Sequence, residues 1–119
     1  MTHSLILRDV LSGGTDALAW EPFRPGVDVS WIYRDGDQGP AAAFLRYEPG
    51  ARIPYHLHSG FEHVLILEGS QTDRNGRHGP GTLVINQPGS THDVVSEDGC
   101  VVYITWQRPV VVLPATDVA

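Results

Sequence analysis

Lysine is absent from this chain, and all eight of its basic residues are arginine. That excludes Schiff-base chemistry and a lysine general base. The arginines are scattered among fourteen acidic residues, for a formal net charge of −6. A nucleic-acid partner is not expected, because counterion release needs a clustered basic patch. Cysteine occurs once, at Cys100, which rules out an internal disulfide and agrees with a reducing compartment. No apolar run approaches the roughly 20 residues that span a bilayer, and no opening apolar run follows positive charge. The expectation is a cytoplasmic protein with no membrane partner. Helical periodicity is also scarce, few segments holding it for two turns.

What is present is punctuation. Thirteen glycines and nine prolines cut the chain into short apolar pieces, the pattern of an all-β protein. Strands are predicted over 27–33, 41–47, 52–58, 62–68, 71–73, 82–86, 92–96 and 100–106, with an edge strand in 109–113. Asn75-Gly76 predicts a type I′ hairpin turn, Glu97-Asp98-Gly99 another turn, and Ser12 to Asp16 a short helical turn or loop. The length suits one domain over 1–119. Its parts are a core of about 41–106, N-terminal strands within 1–33, and a C-terminal tail over 109–119 that ends disordered. Cys100 is expected to pack in the core.

Chemistry concentrates between Gly50 and Gly69. His56 and His58 are two apart, so on a strand both imidazoles leave one face. Ser59-Gly60 supplies a turn, and a hairpin there would bring Glu62 back toward the pair. His92 follows Pro88-Gly89 and opens a further alternating stretch. Three imidazole nitrogens and one carboxylate oxygen suit zinc, iron(II), nickel, copper or manganese, whereas calcium wants mostly oxygen ligands. His63 neighbours Glu62 and should face away, while His78 and His3 are expected to be solvated.

The segment resembles the first motif of the cupin family: Gly, five residues, His-x-His, three or four residues, Glu, six residues, Gly, filled at 50, 56, 58, 62 and 69. The second cupin motif is met by Gly81, Gly89 and His92, with Gln87 where Pro is usual and Ser96 where Asn is usual. The resemblance implies an RmlC-like jelly-roll β-barrel whose metal ligands are His56, His58, Glu62 and His92. From about Trp20 to Arg108 the chain is similar to the cupin domain of ChrR-type anti-sigma factors, which implies zinc. The sigma-binding half of that family is a separate helical zinc domain with a Cys-x-x-Cys. With one cysteine and no such segment, this chain is expected to lack it.

Two functional classes follow. One is a module that binds or senses a small molecule or oxidant through its metal. The other is a metal-dependent dioxygenase-type enzyme acting on a small diketone or phenolic compound, like cupins that use a three-histidine iron. A purely structural metal is a third reading. Trp31, Tyr47, Tyr55, Phe61, Tyr103 and Trp106 are candidates to line a pocket or fill the barrel, and Arg46 and Arg52 are candidates for recognising an anion. With Glu62 inward, Leu65 and Leu67 face outward, which predicts a homodimer. The alternative cover for that strip is the segment Leu5-Ile6-Leu7.

Overall fold

The computed structural model describes residues 3–114. Eleven strands carry the fold: β1 (Glu21–Arg24), β2 (Val27–Arg34), β3 (Ala41–Tyr47), β4 (Ala51–His58), β5 (Glu62–Gly69), β6 (Gln71–Asp73), β7 (Gly76–His78), β8 (Leu83–Asn86), β9 (Thr91–Ser96), β10 (Cys100–Trp106) and β11 (Val110–Val112). One 3-10 turn, Gly14–Ala17, precedes them. A six-stranded sheet runs β1-β2-β3-β10-β5-β8 and a five-stranded sheet β11-β4-β9-β6-β7, with antiparallel pairing throughout. The all-β expectation holds, and every predicted strand is present within a residue or so of its expected bounds. β1 and β7 were not anticipated, and the N-terminal strands begin only at Glu21. The edge strand expected in 109–113 is β11, while the expected disorder falls on residues outside the described ones.

β3 shows how the core is built. Ala41, Ala43, Leu45 and Tyr47 face the other sheet and join Val27, Val29, Val64, Ile66, Val94, Val102 and Ile104 in the main core. Phe44, on the opposite face, packs with Leu67 and Val101 beneath Val10, Leu18 and Trp20. A strand covered on both sides reads as a continuous apolar run, which is why β3 shows no polar alternation. The chain's own N-terminal segment thus covers the strip assigned to a dimer partner: Leu67 is buried and Leu65 half-buried. The covering residues are not Leu5, Ile6 and Leu7, which stay exposed.

Two local expectations change, and β4 holds a feature outside them. β4 and β5 are not a hairpin, because they belong to different sheets; the turn after His58 carries the chain across the sandwich, so Glu62 faces the histidines from the opposite wall. The β6–β7 hairpin forms, but positive φ falls on Gly76 and not on Asn75. There the Asp73 side chain closes the turn, its Oδ1 accepting from the Asn75 backbone N–H at 2.9 Å. In β4, pairing slips between Ile53↔Val94 and His56↔His92, three steps against two. This bulge falls at Pro54-Tyr55, where Pro has no N–H to give the ladder. It shifts the inward set from Ala51 and Ile53 to His56 and His58.

Candidate metal centre

His56, His58 and His92 come together between the sheets, all buried. Their rings form a near-equilateral triangle, with centroids 4.9, 4.7 and 4.7 Å apart and planes inclined by 80°, 69° and 68°. One nitrogen from each lies within 4.8 Å of the others, the arrangement that could hold a metal ion. His56 and His92 are direct partners across β4 and β9. The strand period brings His58 to the same face.

The second nitrogen of each ring is already committed. Nδ1 of His56 lies 2.7 Å from the Pro54 carbonyl oxygen, within the bulge. Nδ1 of His58 lies 3.0 Å from both the carbonyl and the hydroxyl oxygen of Ser90, and Nδ1 of His92 lies 3.0 Å from Asp73 Oδ2. A carbonyl or carboxylate oxygen can only accept, so each Nδ1 is the N–H, and in a neutral ring Nε2 keeps its lone pair. This is the outer support that metal-ligating histidines usually have. His58 Nε2 is buried with no hydrogen-bond partner at all, an expensive condition unless something else satisfies it. The donor set fits a borderline transition ion.

Glu62 reaches the triad from the other sheet. Its Oε1 lies 3.4 Å from His58 Nε2, although it is outside the set of nitrogens that are mutually within 4.8 Å. In the strand register Trp106 and Asn86 stand opposite Glu62 on its two sides. Both donate to it, Trp106 Nε1 to Oε2 at 2.9 Å and Asn86 Nδ2 to Oε1 at 3.0 Å. Burial alone would raise the Glu62 carboxyl, but its closeness to His58 and, beyond it, to His56 and His92 holds it below the usual range. Burial lowers His56 and His92, and His92 is lowered despite its bond to Asp73. These directions favour an ionised Glu62 carboxylate and neutral His56 and His92, the forms in which those groups can ligate.

Sequence reasoning missed the supports. Asp73, Ser90, Asn86 and Trp106 become legible as partners only once the strand register is known. His78, expected to be solvated, is mostly buried and holds Asp73 Oδ1 through Nε2 at 3.0 Å. His63 faces outward as expected. Of the aromatic candidates, Trp31, Tyr47 and Trp106 line a cavity of about 260 Å³ that also touches His56, Glu62 and His92. Tyr55, Phe61 and Tyr103 are not in its wall, nor are Arg46 and Arg52. Arg46 pairs with Asp28 and lies over Trp20. Cys100 is buried as expected, and its burial pushes the thiol up to about 11.

A family model described as "ChrR Cupin-like domain" matches residues 10–110. The anti-sigma-E factor ChrR of Cereibacter sphaeroides is 30% identical over 94 residues, covering 78% of this chain and 43% of that protein. A putative dimethylsulfoniopropionate lyase DddL of the same organism is 28% identical over 81 residues, 60% of this chain and 35% of its own length. This chain thus spans less than half the length of the curated relatives it matches. A crystal structure of an acetylacetone dioxygenase from Acinetobacter johnsonii superposes with a TM-score of 0.77 at 13% identity, over 98% of this chain and 80% of that one. At that identity the likeness concerns the fold alone.

Proposed function

We propose that this chain, which belongs to the ChrR cupin-like family, is a single cupin domain over 1–119. In this reading it holds one divalent transition ion, zinc first, on His56, His58, His92 and Glu62, and reports on a small molecule that enters the cavity beside it. The observation carrying this is the triad itself: three buried imidazoles with every Nδ1 tied to an acceptor and a buried His58 Nε2 with no partner. Glu62 as fourth ligand is supported by its 3.4 Å approach to His58 Nε2. Two ligands about 2.0–2.2 Å from one tetrahedral ion lie about 3.4 Å apart. If the ion expands to five-coordination, the added position would let it polarise a bound water, carbonyl or carboxylate.

A second reading, a dioxygenase-type enzyme acting on a small diketone or phenolic compound, is favoured by one feature. Both Glu62 oxygens already accept hydrogen bonds, which allows a three-histidine set. Elemental analysis of protein purified without added metal, then oxygen uptake by the iron(II)-loaded form with diketones and catechols, separates the two. Zinc without turnover supports the binding module. Turnover lost in His92→Ala replaces it with the enzyme. Metal content unchanged in Glu62→Ala removes Glu62 from the ligand set, and unchanged content in His92→Ala sinks the whole assignment.

The same reading includes a cytoplasmic homodimer, with its contact moved from the Leu65 strip to the free edge of the six-stranded sheet. There Leu83 and Ile85 of β8 stand 54% and 51% exposed, and an apolar edge strand invites pairing with a second copy. Light scattering on the wild type should give twice the chain mass. Leu83→Lys with Ile85→Lys should give the monomer, and a monomeric wild type would end this part of the proposal.

A further inference from the structure

Two arginines that the motifs do not contain are turned into the cavity wall by two breaks in strand pairing. In β1 the register passes from Pro22↔Asp28 to Arg24↔Val27, leaving Phe23 as an extra residue. In β2 it passes from Trp31↔Ala43 to Tyr33↔Ala42, leaving Ile32. Strict alternation would put Phe23 and Arg24 on opposite faces, and likewise Trp31 and Arg34. Instead all four line the cavity. A bulge re-aims side chains in this way, and bulges cluster beside functional sites.

Neither arginine makes an ion pair with a carboxylate among the described residues, where the two arginine bridges involve Arg46 and Arg77. Each lies instead by its aromatic neighbour, Arg24 at 5.5 Å from the Phe23 ring centroid and Arg34 at 4.6 Å from that of Trp31. A guanidinium stacked on a ring keeps its in-plane N–H groups free for a planar anion. Of the acidic residues at the cavity, Glu62 is bound to Trp106 and Asn86, and Asp73 to His78 and His92. Asp37 lies exposed on the loop after β2. The half-buried Arg24 also projects its charge inward. The Tyr47 hydroxyl, raised mainly by burial, is pulled back by that charge.

Besides the histidines, Gln71 and Asn86, most of the remaining wall is aromatic and aliphatic. Phe23, Trp31 and Trp106 pack within 5.9–6.3 Å of one another. The volume of about 260 Å³ lies just below the roughly 300–1,000 Å³ of drug-sized sites. We propose that the cavity takes a small carboxylate with an aromatic or branched apolar body, the body against Trp31 and Trp106 and the carboxylate held by Arg24, with Arg34 in support. This deepens the metal-cupin reading and rests on it only in sharing the cavity.

Trp31 and Trp106 supply the readout. Quenching of tryptophan fluorescence in the zinc-loaded full chain is titrated with phenylacetate and 3-methylbutyrate, and with their neutral amides. Each acid should bind at least tenfold more tightly than its amide. Arg24→Gln should remove that preference while leaving zinc content and amide binding unchanged, and Arg24→Lys should restore part of it. Metal-free protein prepared with a chelator should keep the preference, since the guanidinium supplies it. The proposal is overturned if acid and amide bind equally or not at all, if Arg24→Gln keeps the full preference, or if the preference vanishes with the metal. A chain that takes up no metal yet prefers acids through Arg24 would defeat the metal reading alone. Zinc bound with no such preference would defeat this proposal alone.

Discussion

At the scale of single residues, the support of the centre is concentrated in Asp73. One carboxylate closes the β6–β7 turn through Asn75, holds His78, and fixes the Nδ1–H of His92. Loss of such a partner typically lowers metal affinity about 10–100-fold. If the proposed site holds a divalent ion, Asp73→Ala should therefore weaken its binding by that factor in chelator competition, with an unchanged far-ultraviolet circular dichroism spectrum. Equal affinity would show that the hairpin, and not the carboxylate, orients His92. Asp73 was read from the sequence only as the end of a strand, because nothing local says that β6 pairs with β9 and so faces His92. His56 and His58 were legible because their spacing matches the strand period and needs no partner to be understood.

At the scale of elements, the motif glycines and the bulges divide the work. Gly69 has φ +73°, and a Cβ there would collide with the Gly99 carbonyl oxygen where β5 ends beside β10. The left-handed region alone costs an L-residue about 1–2 kcal/mol, and the collision with backbone adds to it. Gly69→Ala should thus lower stability by more than about 2 kcal/mol in denaturant unfolding. A smaller loss would mean that β10 can shift away. The strands were readable from apolar runs between turn residues, but the bulges were not. Pro54 hints at one, yet that one extra residue moves His56 into phase with Ile53 depends on pairing with β9. The same blindness hid Arg24 and Arg34 and made Arg46 and Arg52 look better placed.

At the scale of the whole molecule, the two sheets decide the charge state of the site. Burial lowers His56 and His92, so in metal-free protein the unfolded chain holds protons that the folded chain does not. Between the unfolded histidine value of about 6.5 and the lower folded values, stability rises with pH. The contribution is complete above about 6.5 and is lost as pH falls toward the folded values. Glu62 and Asp73, which burial alone would raise but their imidazole partners lower, lose theirs only below the ordinary carboxylate range near 4. The metal-free protein should accordingly melt at a lower temperature at pH 5.5 than at pH 7.5, and His92→Phe should flatten that dependence. A melting temperature unchanged across this range would show that the imidazoles are not held neutral by burial.

The sequence by itself determined the all-β class, the short strands and the candidate residues His56, His58, Glu62 and His92. Each rests on local information: period-two alternation, turn residues and the spacing of metal-capable side chains. Only the tertiary structure decided that Glu62 comes from the sheet opposite the histidines, flanked by Trp106 and Asn86, and that every Nδ1 is engaged so that Nε2 is left free. It also decided that two arginines outside the motifs face the same cavity. These depend on which strands pair and where pairing slips. Strand register is set by the packing of two sheets around one core, at sequence separations that no local pattern encodes.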